Sequence, residues 1–297
     1  MKKSLLYSLL VIVSFSYTSV FSQSYDASFV SASFNTDYYT FVMKREGQRV
    51  NAKYFAASYG NESVYASYKK WKEERNRNII LISSGTYMDG CDGGNGSTNG
   101  ATPTGLTIQS GNVVNSNLKD FDGLVVVYPN GGIAVSNLDL GNLSVEGFTR
   151  KLDIRKSAID RASFIDWAKK ANATVFQTHL LAYNNELTIF DPKNSNCLNC
   201  KENRERRFLA ACRDDENILY HVIIHCPANT TIYDGANNVL NYLKKQKEMK
   251  DVIFLINLDT GCQDVFEYYN SDGTKNGKIQ GRSPIKDAAN LLVYYFQ

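Results

Sequence analysis

The sequence has few prolines, few histidines and no marked excess of charge of either sign. Its 297 residues include five prolines and three histidines, and the formal net charge is +3. This near-neutral balance gives no support for nucleic-acid binding, which requires a basic face. The chain also has no internal repeat and no clean linker, so we expect one domain rather than a string of modules.

After residue 22 the sequence has no apolar run long enough to span a bilayer. The first 22 residues contain Lys2 and Lys3, an apolar stretch over 5–15, and Val20 and Ser22 at the positions of small residues before a cleavage site. This pattern predicts a cleaved secretory signal peptide. The residue directly after the predicted cut is Gln23 and not a cysteine, so we expect no lipid attachment there. We therefore expect a secreted or periplasmic chain without a membrane span.

The six cysteines do not form a recognisable zinc motif. Cys197 and Cys200 make a single CxxC, and neither a second CxxC nor a thioredoxin-like context accompanies it. In an oxidising compartment an even number of cysteines favours disulfides, whose connectivity the spacing leaves open. A local disulfide is the preferred reading of this CxxC, with zinc as the alternative. His221 and His225 lack an HExxH helix, so we expect them to serve packing.

Residues 89–105 are rich in Gly, Asn, Thr and Ser, which predicts a long exposed loop. Loops of this length in compact domains are commonly functional or mobile. Asp89, Asp92, Asn95 and Ser97 bear oxygen ligands, but their spacing does not match an EF-hand loop. We predict no cofactor and interpret the loop as a glycine-rich lid, with a structural calcium ion as the alternative.

Apolar runs and turn residues predict mixed secondary structure. Helical periodicity indicates helices near 157–171 and 231–247, the first with Ile159 on its apolar face. Residues 64–75 are interpreted as a short helical or irregular segment. The Asn130-Gly131 turn predicts a hairpin. Strands are predicted at 38–43, 78–82, 105–108, 123–128, 133–135, 174–182, 187–190, 208–212, 218–224, 252–256 and 291–296.

This alternation of hairpins with two or three packed helices predicts an α+β fold, a single mixed-sheet domain with some parallel pairing. We expect residues 23–77 to form an N-terminal extension that packs on a domain spanning 78–297.

Asp259 is the first candidate for function. It follows the uninterrupted apolar run at 252–256, as expected of a strand buried on both faces. A carboxylate directly after such a strand lies at the edge of the sheet where α/β folds collect ligands. The alternative is a capping or turn-forming aspartate.

Eight segments, in order, resemble the phosphodiester glycosidase domain family. They are SSGTY (83–87), TPTGLTIQSGNVVN (102–115), YPNGGIAV (128–135), ATVFQTHLLAYNNEL (173–187), RRFLAAC (206–212), TIYDGANNVLNYL (231–243), NLDTGC (257–262) and AANLLVYY (288–295). Together they cover about residues 78–297. The resemblance implies a hydrolase that cleaves sugar phosphodiester or related glycan linkages, with a carbohydrate or sugar-phosphate as substrate.

The resemblance also implies a site built on Asp259 and Arg207, or on Arg206 if the register shifts by one. A guanidinium suits a phosphate because it forms paired, charge-assisted hydrogen bonds. The alternative is that both arginines belong to a solvated basic cluster with Arg204. For Asp259 the roles of nucleophile, general base, sugar-hydroxyl clamp and metal ligand stay open. The residues implied to bind the substrate are Asn257, Gly261, Ser83, Gly85, Gln177 and Thr178.

The sequence departs from the family pattern where Leu180 replaces a proline and where Cys262, Gln263 and Asp264 replace small hydroxyl residues. Three further departures are Ser83, which replaces an asparagine, and His179 and Thr260, which replace glycines. These departures favour a second reading, a noncatalytic glycan- or phosphate-binding module on the same scaffold. His179 is weighed as a catalyst, because imidazole titrates near neutral pH, against ordinary packing. The resemblance brings the loops of Cys91 and Cys262 together, so we predict a disulfide that clamps the lid. The oligomeric state stays open.

Overall fold

The computed structural model describes residues 24–56, 63–89, 102–189, 202–246, 249–261 and 263–297. The predicted signal peptide lies outside these ranges. The helices found there are α1 (Val64–Glu74), α2 (Ala158–Lys170) and α3 (Ile232–Lys244). The strands are β1 (Val30–Phe34), β2 (Tyr39–Lys44), β3 (Val50–Ala56), β4 (Asn78–Ser83), β5 (Met88–Asp89), β6 (Thr102–Pro103), β7 (Thr107–Gln109), β8 (Asn112–Asn115), β9 (Gly123–Val127), β10 (Ile133–Asn137), β11 (Thr174–Thr178), β12 (Leu180–Tyr183), β13 (Glu186–Leu187), β14 (Arg204–Arg213), β15 (Leu219–Thr230), β16 (Asp251–Leu258), β17 (Phe266–Tyr269), β18 (Lys275–Gln280) and β19 (Asn290–Phe296).

Three large sheets organise these strands. Their orders are β1-β2-β15-β14-β16-β12-β13, β10-β9-β11-β7-β8 and β18-β17-β4-β19-β3, and β5 pairs with β6 separately. The α+β prediction with two or three helices is confirmed. The expected parallel pairing was wrong for the described residues, where each strand pairing is antiparallel. The long apolar runs reflect burial on both faces, which antiparallel strands between two packed layers also experience.

A shared core lies between the three sheets. It contains Leu209 and Ile256 from the first sheet, Phe176 from the second, and Leu81 and Tyr294 from the third. The other face of each sheet packs against a helix, α3 on the first, α2 on the second and α1 on the third. Each sheet is therefore buried on two sides over its central strands.

Each helix begins after a hydroxyl residue that caps it. The side chains of Ser63, Ser157 and Thr231 each accept a hydrogen bond from the backbone N–H three residues later, which satisfies an otherwise unpaired donor. The predicted apolar face of α2 needs correction, because Ile159 is 76% exposed while Phe164 is fully buried. The buried face of α2 carries Asp160, Phe164 and Ala168.

The hairpins predicted from turn residues are present. β9 and β10 pair directly, and Gly131 between them has φ +76°, a conformation that favours glycine. The run predicted as one strand over 174–182 is divided at His179, since β11 and β12 belong to different sheets. This division places His179 where two sheets meet.

Residues before 78 contribute strands to two of the large sheets, because β2 pairs with β15 and β3 pairs with β19. The proposed boundary at residue 77 remains a prediction. In the described parts of the chain, no helix has the length and apolar character needed to cross a bilayer.

Candidate functional site

The candidate site lies where β16 and β4 end side by side. The backbone N–H of Asp259 donates to the carbonyl of Gly85 at 3.0 Å, and its Oδ1 accepts from the N–H of Gly261 at 2.7 Å. Asp259 is 5% exposed. Burial raises its pKa to about 6, against the lowering effects of the Gly261 hydrogen bond and of Arg207 and Arg204. This carboxyl is therefore held near its titration point at mildly acidic to neutral pH.

Arg207 lies beside Asp259 but is enclosed. It is fully buried in β14, opposite Leu258. Its Nη2 donates to Asp264 Oδ1 at 2.7 Å, its Nη1 donates to Ser83 Oγ at 3.3 Å, and its guanidinium stacks at 3.8 Å from the ring centre of Phe266. These contacts tie β14 to the segment after the Asp259 turn. Both Nη atoms of Arg207 donate to protein partners, and its Nε has no partner among the described residues. The role of Arg207 in binding phosphate remains a prediction.

The ion pair with Arg207 keeps the carboxyl of Asp264 ionised. Burial alone would raise its pKa, but Arg207 outweighs that effect and the net pKa is lowered. Arg282 adds a second cation, with Nε 3.5 Å from Asp264 Oδ2 and its backbone N–H donating to the same oxygen at 3.2 Å. Asp264 is thus a fixed negative charge, unlike Asp259.

Arg204 and Arg206 are two further arginines of β14, near Tyr87. Arg204 is half-buried and pairs with the carboxylate of Glu202. Arg206 is 4% exposed and donates to the carbonyls of Glu202 and Thr230. Burial and Asp259 raise the pKa of Tyr87, whereas both arginines lower it, so these charges act on one region. The reading of a solvated arginine cluster therefore does not hold for Arg206 or Arg207.

An aromatic group covers this region. Tyr87 stacks on Phe121 with ring centres 5.3 Å apart, and His179 meets Phe121 edge-on at 4.8 Å. Asn257 Nδ2 donates to Tyr87 Oη at 2.5 Å. Burial and the charge of Arg206 lower the pKa of His179 to about 4, so this imidazole is neutral at neutral pH. Its edge-on packing against the stacked pair of Tyr87 and Phe121 accounts for its position.

Several buried polar atoms near Asp259 are unpaired within the described part of the chain, among them Arg207 Nε. Asn257 Oδ1 and Tyr54 Oη have no hydrogen-bond partner among the described residues. Burial and the nearby Asp259 both raise the pKa of Tyr54. Buried polar groups are normally hydrogen-bonded, so these atoms mark a place where a ligand or water would be accommodated.

The remaining predicted residues support the site rather than face it. Gln177 accepts from the N–H groups of Leu106 and Lys119 and donates to the carbonyls of Lys119 and Phe121. It therefore holds the loop that carries Phe121. Thr178 Oγ1 donates to the carbonyl of Asn257 at 2.7 Å.

Ser83 and Gly85 fix the end of β4. Ser83 Oγ donates to the carbonyl of Ser84 at 2.8 Å and accepts from Arg207. The N–H of Gly85 donates to Asn290 Oδ1 at 2.7 Å. A Cβ at Gly85 would lie 2.7 Å from Tyr54 Cε2, so the close approach of these segments requires glycine.

Asp122 is a site residue that sequence reasoning missed. Burial raises its pKa to about 6, and its Oδ1 accepts from the N–H of Leu180 at 2.8 Å. It directly follows Phe121 in the chain, and its charge acts on Tyr87. The available signal was that Asp122 precedes Gly123 and an apolar strand. An aspartate in that position usually forms a turn, so the signal did not indicate a functional residue.

Several sequence predictions lie outside the described residues. These are residues 90–101 of the loop predicted over 89–105, the CxxC at Cys197 and Cys200, and the disulfide between Cys91 and Cys262. The described ends of that loop are not exposed loop throughout, because Asp89 pairs with Thr102 in the β5–β6 ladder and 103–105 are buried. Cys212 and Cys226, on β14 and β15, are free and buried.

The described residues contain no group of three or more histidine, cysteine, aspartate or glutamate side chains that could hold a metal ion. His221 is fully buried with Nδ1 3.1 Å from Tyr294 Oη, and His225 packs against Tyr39 and Phe266. Both histidines thus occupy packed positions.

The fold and site define an α+β protein with a buried carboxyl between guanidinium and aromatic groups. One similar solved structure is the zebrafish N-acetylglucosamine-1-phosphodiester alpha-N-acetylglucosaminidase catalytic domain auto-inhibited by its pro-peptide, with a TM-score of 0.49 and 13% identity, covering 90% of this chain and 82% of that one. Another is a hypothetical protein from Synechocystis, with a TM-score of 0.48 and 9% identity over 90% of this chain and 61% of that one. No family model and no curated protein sequence matches significantly. These values describe a distant likeness of overall fold and assign no role to any residue.

Proposed function

We propose that this chain is a secreted or periplasmic hydrolase that cleaves sugar phosphodiester or related glycan linkages at Asp259. The observation that carries the proposal is a buried carboxyl with a pKa of about 6 that feels the charges of Arg207 and Arg204. Arg206 and Arg204 both act on Tyr87, as Asp259 does. A carboxyl tuned near the working pH can take or give a proton during the reaction. The ordered sequence resemblance to phosphodiester glycosidases supports the same class.

In the proposed reaction, the bond between the anomeric carbon and the phosphate oxygen breaks, and its electron pair leaves with the phosphate. A water oxygen bonds to the anomeric carbon, and the ionised carboxylate of Asp259 takes the water proton. The leaving group is a phosphate monoester, which is a weaker base than an alkoxide, so it needs little protonation. Arg204 and Arg206 stabilise its negative charge. The proton on Asp259 then returns to solvent or to the released phosphate monoester.

This role makes the reaction depend on pH. Asp259 acts as a base only when ionised, so the rate should fall as the pH drops below about 6. His179 is neutral in the same range and supplies no proton. An acidic limb near this pH is the expected kinetic signature.

The test compares wild type with Asp259→Asn on a panel of sugar-1-phosphodiesters. Removing a general base reduces kcat by roughly 10²–10⁴-fold, and asparagine retains an oxygen that can accept from Gly261. The exposed Asp166→Asn variant is the matched control and should keep wild-type activity. Circular dichroism verifies folding of each variant. Full activity in Asp259→Asn would refute the proposed role.

A second candidate is a noncatalytic glycan- or phosphate-binding module. Two residues that depart from the family pattern favour it, because both have structural contacts. Thr260 Oγ1 donates to the carbonyl of Glu205 at 2.9 Å, and His179 packs edge-on against Tyr87 and Phe121. Calorimetry decides between the two candidates. Sugar-phosphate binding without turnover across the panel would support the module.

A further inference from the structure

A groove of about 640 Å³ lies away from Asp259, at the opposite end of β4. Asn78 lines it at the start of β4, and Ser83 at the other end contacts the site, so roughly 16 Å of strand separates them. The volume is typical of ligand pockets, which measure about 300–1,000 Å³. The groove and the Asp259 region are therefore separate places on the molecule.

The charged side chains that line the groove are all cationic. Lys53, Arg75 and Arg77 line it, and its described lining contains no aspartate or glutamate side chain. Glu74, on α1, acts on Arg77 from outside the lining. Three cations facing one concavity without an acidic side chain in it favour an anionic ligand.

Lys53 is the central cation. It is half-buried on β3, and its Nζ donates to Ser110 Oγ at 3.1 Å. Within the described ranges it makes no ion pair with a carboxylate. Burial lowers its pKa, and the neighbouring Arg77 lowers it further. An ammonium removed from water is costly unless it is paired, so a bound anion would compensate for it.

Arg77 is held rigidly. Its guanidinium lies 4.4 Å from the ring centre of Trp71 and 5.9 Å from that of Tyr295, and its Nη1 donates to the carbonyl of Trp71. Stacking fixes the plane of the guanidinium while leaving its charge beside the groove. Such preorganisation reduces the entropy lost when a ligand binds.

The rest of the lining suits a hydroxylated ligand. Amide side chains donate and accept hydrogen bonds, as sugar hydroxyls require, and half-buried Tyr128 adds an aromatic surface. The amide residues that line the groove are Gln48, Asn76, Asn78, Asn130, Asn172 and Gln297.

We propose that this groove binds an anionic saccharide, one that carries a carboxylate or phosphate group, independently of the site at Asp259. The cations bind the charged group, and the amide and aromatic side chains contact the sugar. The proposal stands whether or not Asp259 is catalytic.

Isothermal titration calorimetry on the mature chain tests this proposal. The probes are a trigalacturonate, glucose 6-phosphate, the carboxyl-reduced neutral trisaccharide and inorganic phosphate. The groove variant is Lys53→Gln/Arg75→Gln, and the control removes two exposed cations elsewhere, Arg213→Gln/Lys245→Gln.

We expect the groove variant to weaken binding of at least one anionic saccharide by at least about tenfold, with the control within about twofold of wild type. The neutral trisaccharide should bind at least about tenfold more weakly than the tighter-binding of the two anionic saccharides. The two anionic probes distinguish a carboxylated from a phosphorylated ligand. Asp259→Asn should retain the affinity, which separates this proposal from the hydrolase.

Absence of binding by wild type, or unchanged affinity in the groove variant, would overturn the proposal. Inorganic phosphate binding as tightly as the sugars would overturn the saccharide assignment. If the double variant does not fold, Arg75→Glu serves instead, because Arg75 is exposed at the end of α1. That variant should weaken anion binding in the same way.

Discussion

Two carboxyls five positions apart respond to burial in opposite ways. Asp264 has Arg207 at 2.7 Å, which keeps its pKa below the ordinary value. In the described part of the chain, Asp259 has no basic group within ion-pair distance, and burial raises its pKa to about 6. The first is a structural charge, whereas the second is poised for proton transfer.

Asp259→Asn should make stability less dependent on pH. The pKa of Asp259 is about 6 when folded and close to 3.8 when unfolded, so the unfolded chain loses its proton first. The stability contributed by protonated Asp259 is complete below about pH 3.8 and is lost as the pH rises towards 6. At about 1.36 kcal/mol per pKa unit, the variant should be roughly 3 kcal/mol more stable at pH 8 and unchanged at pH 3.5.

Urea unfolding at both pH values measures this difference. The exposed Asp166→Asn variant should differ from wild type by less than about 0.5 kcal/mol at either pH. A stability gain for Asp259→Asn that is equal at both pH values would contradict the assigned cause.

Arg207→Met should strongly destabilise the protein. The change leaves Asp264 buried without its closest cation, and removing one partner of a buried pair costs about 3–5 kcal/mol. Arg213→Met, in the same strand but exposed, should change the free energy of unfolding by less than about 0.5 kcal/mol. Urea denaturation measures both variants. A loss below about 1 kcal/mol for Arg207→Met would show that the ion pair is dispensable.

At the scale of single elements, α2 shows how a helix can mislead sequence analysis. Its charged and apolar residues alternate without one dominant apolar stripe, so the exposed Ile159 resembled a core residue. The buried positions Asp160, Phe164 and Ala168 recur every four residues and face the second sheet. Arg150 pairs with Asp160 at 2.6 Å, which explains a carboxylate on that face.

Phe164→Ala should cost about 3–5 kcal/mol, because a fully buried ring is removed from the cluster between α2 and the second sheet. Ile159→Ala should change stability by less than about 0.5 kcal/mol, since most of that side chain is in solvent. Thermal or urea unfolding of both variants gives the comparison. Equal losses would mean that the observed helix orientation is incorrect.

The whole molecule is three sheets around one core, each covered outside by a helix. The central strands β14 and β16 have neighbours on both sides and layers on both faces. In contrast, β18 is an edge strand with mostly exposed residues. Local stability should therefore differ greatly between these strands.

Hydrogen exchange followed by mass spectrometry checks this difference. Amides of β14 and β16 should exchange at rates set by global unfolding, whereas those of β18 should exchange by local opening, at least about tenfold faster. Comparable protection in β18 would contradict the edge assignment.

Sequence periodicity predicted some elements close to their observed bounds. The helix α3 has a strong apolar face, and β4 and β16 are nearly continuous apolar runs. By contrast, β3 and β18 were missed because they contain polar residues, and pairing with other strands stabilises them. In β3, Val50, Ala52 and Tyr54 alternate with Asn51 and Lys53, which is a usable strand signal, whereas β18 has none.

The sequence by itself determined the apolar runs, the capped helices, the hairpin turns and the position of Asp259 after a buried strand. Tertiary structure alone decided that Gly85 meets Asp259, that Asp264 occupies Arg207, and that Asp122 lies beside the aromatic group. The physical reason is that hydrogen bonding and apolar periodicity are local, whereas burial and charge pairing depend on residues distant in the chain. A carboxyl's pKa and a guanidinium's availability follow from those distant neighbours.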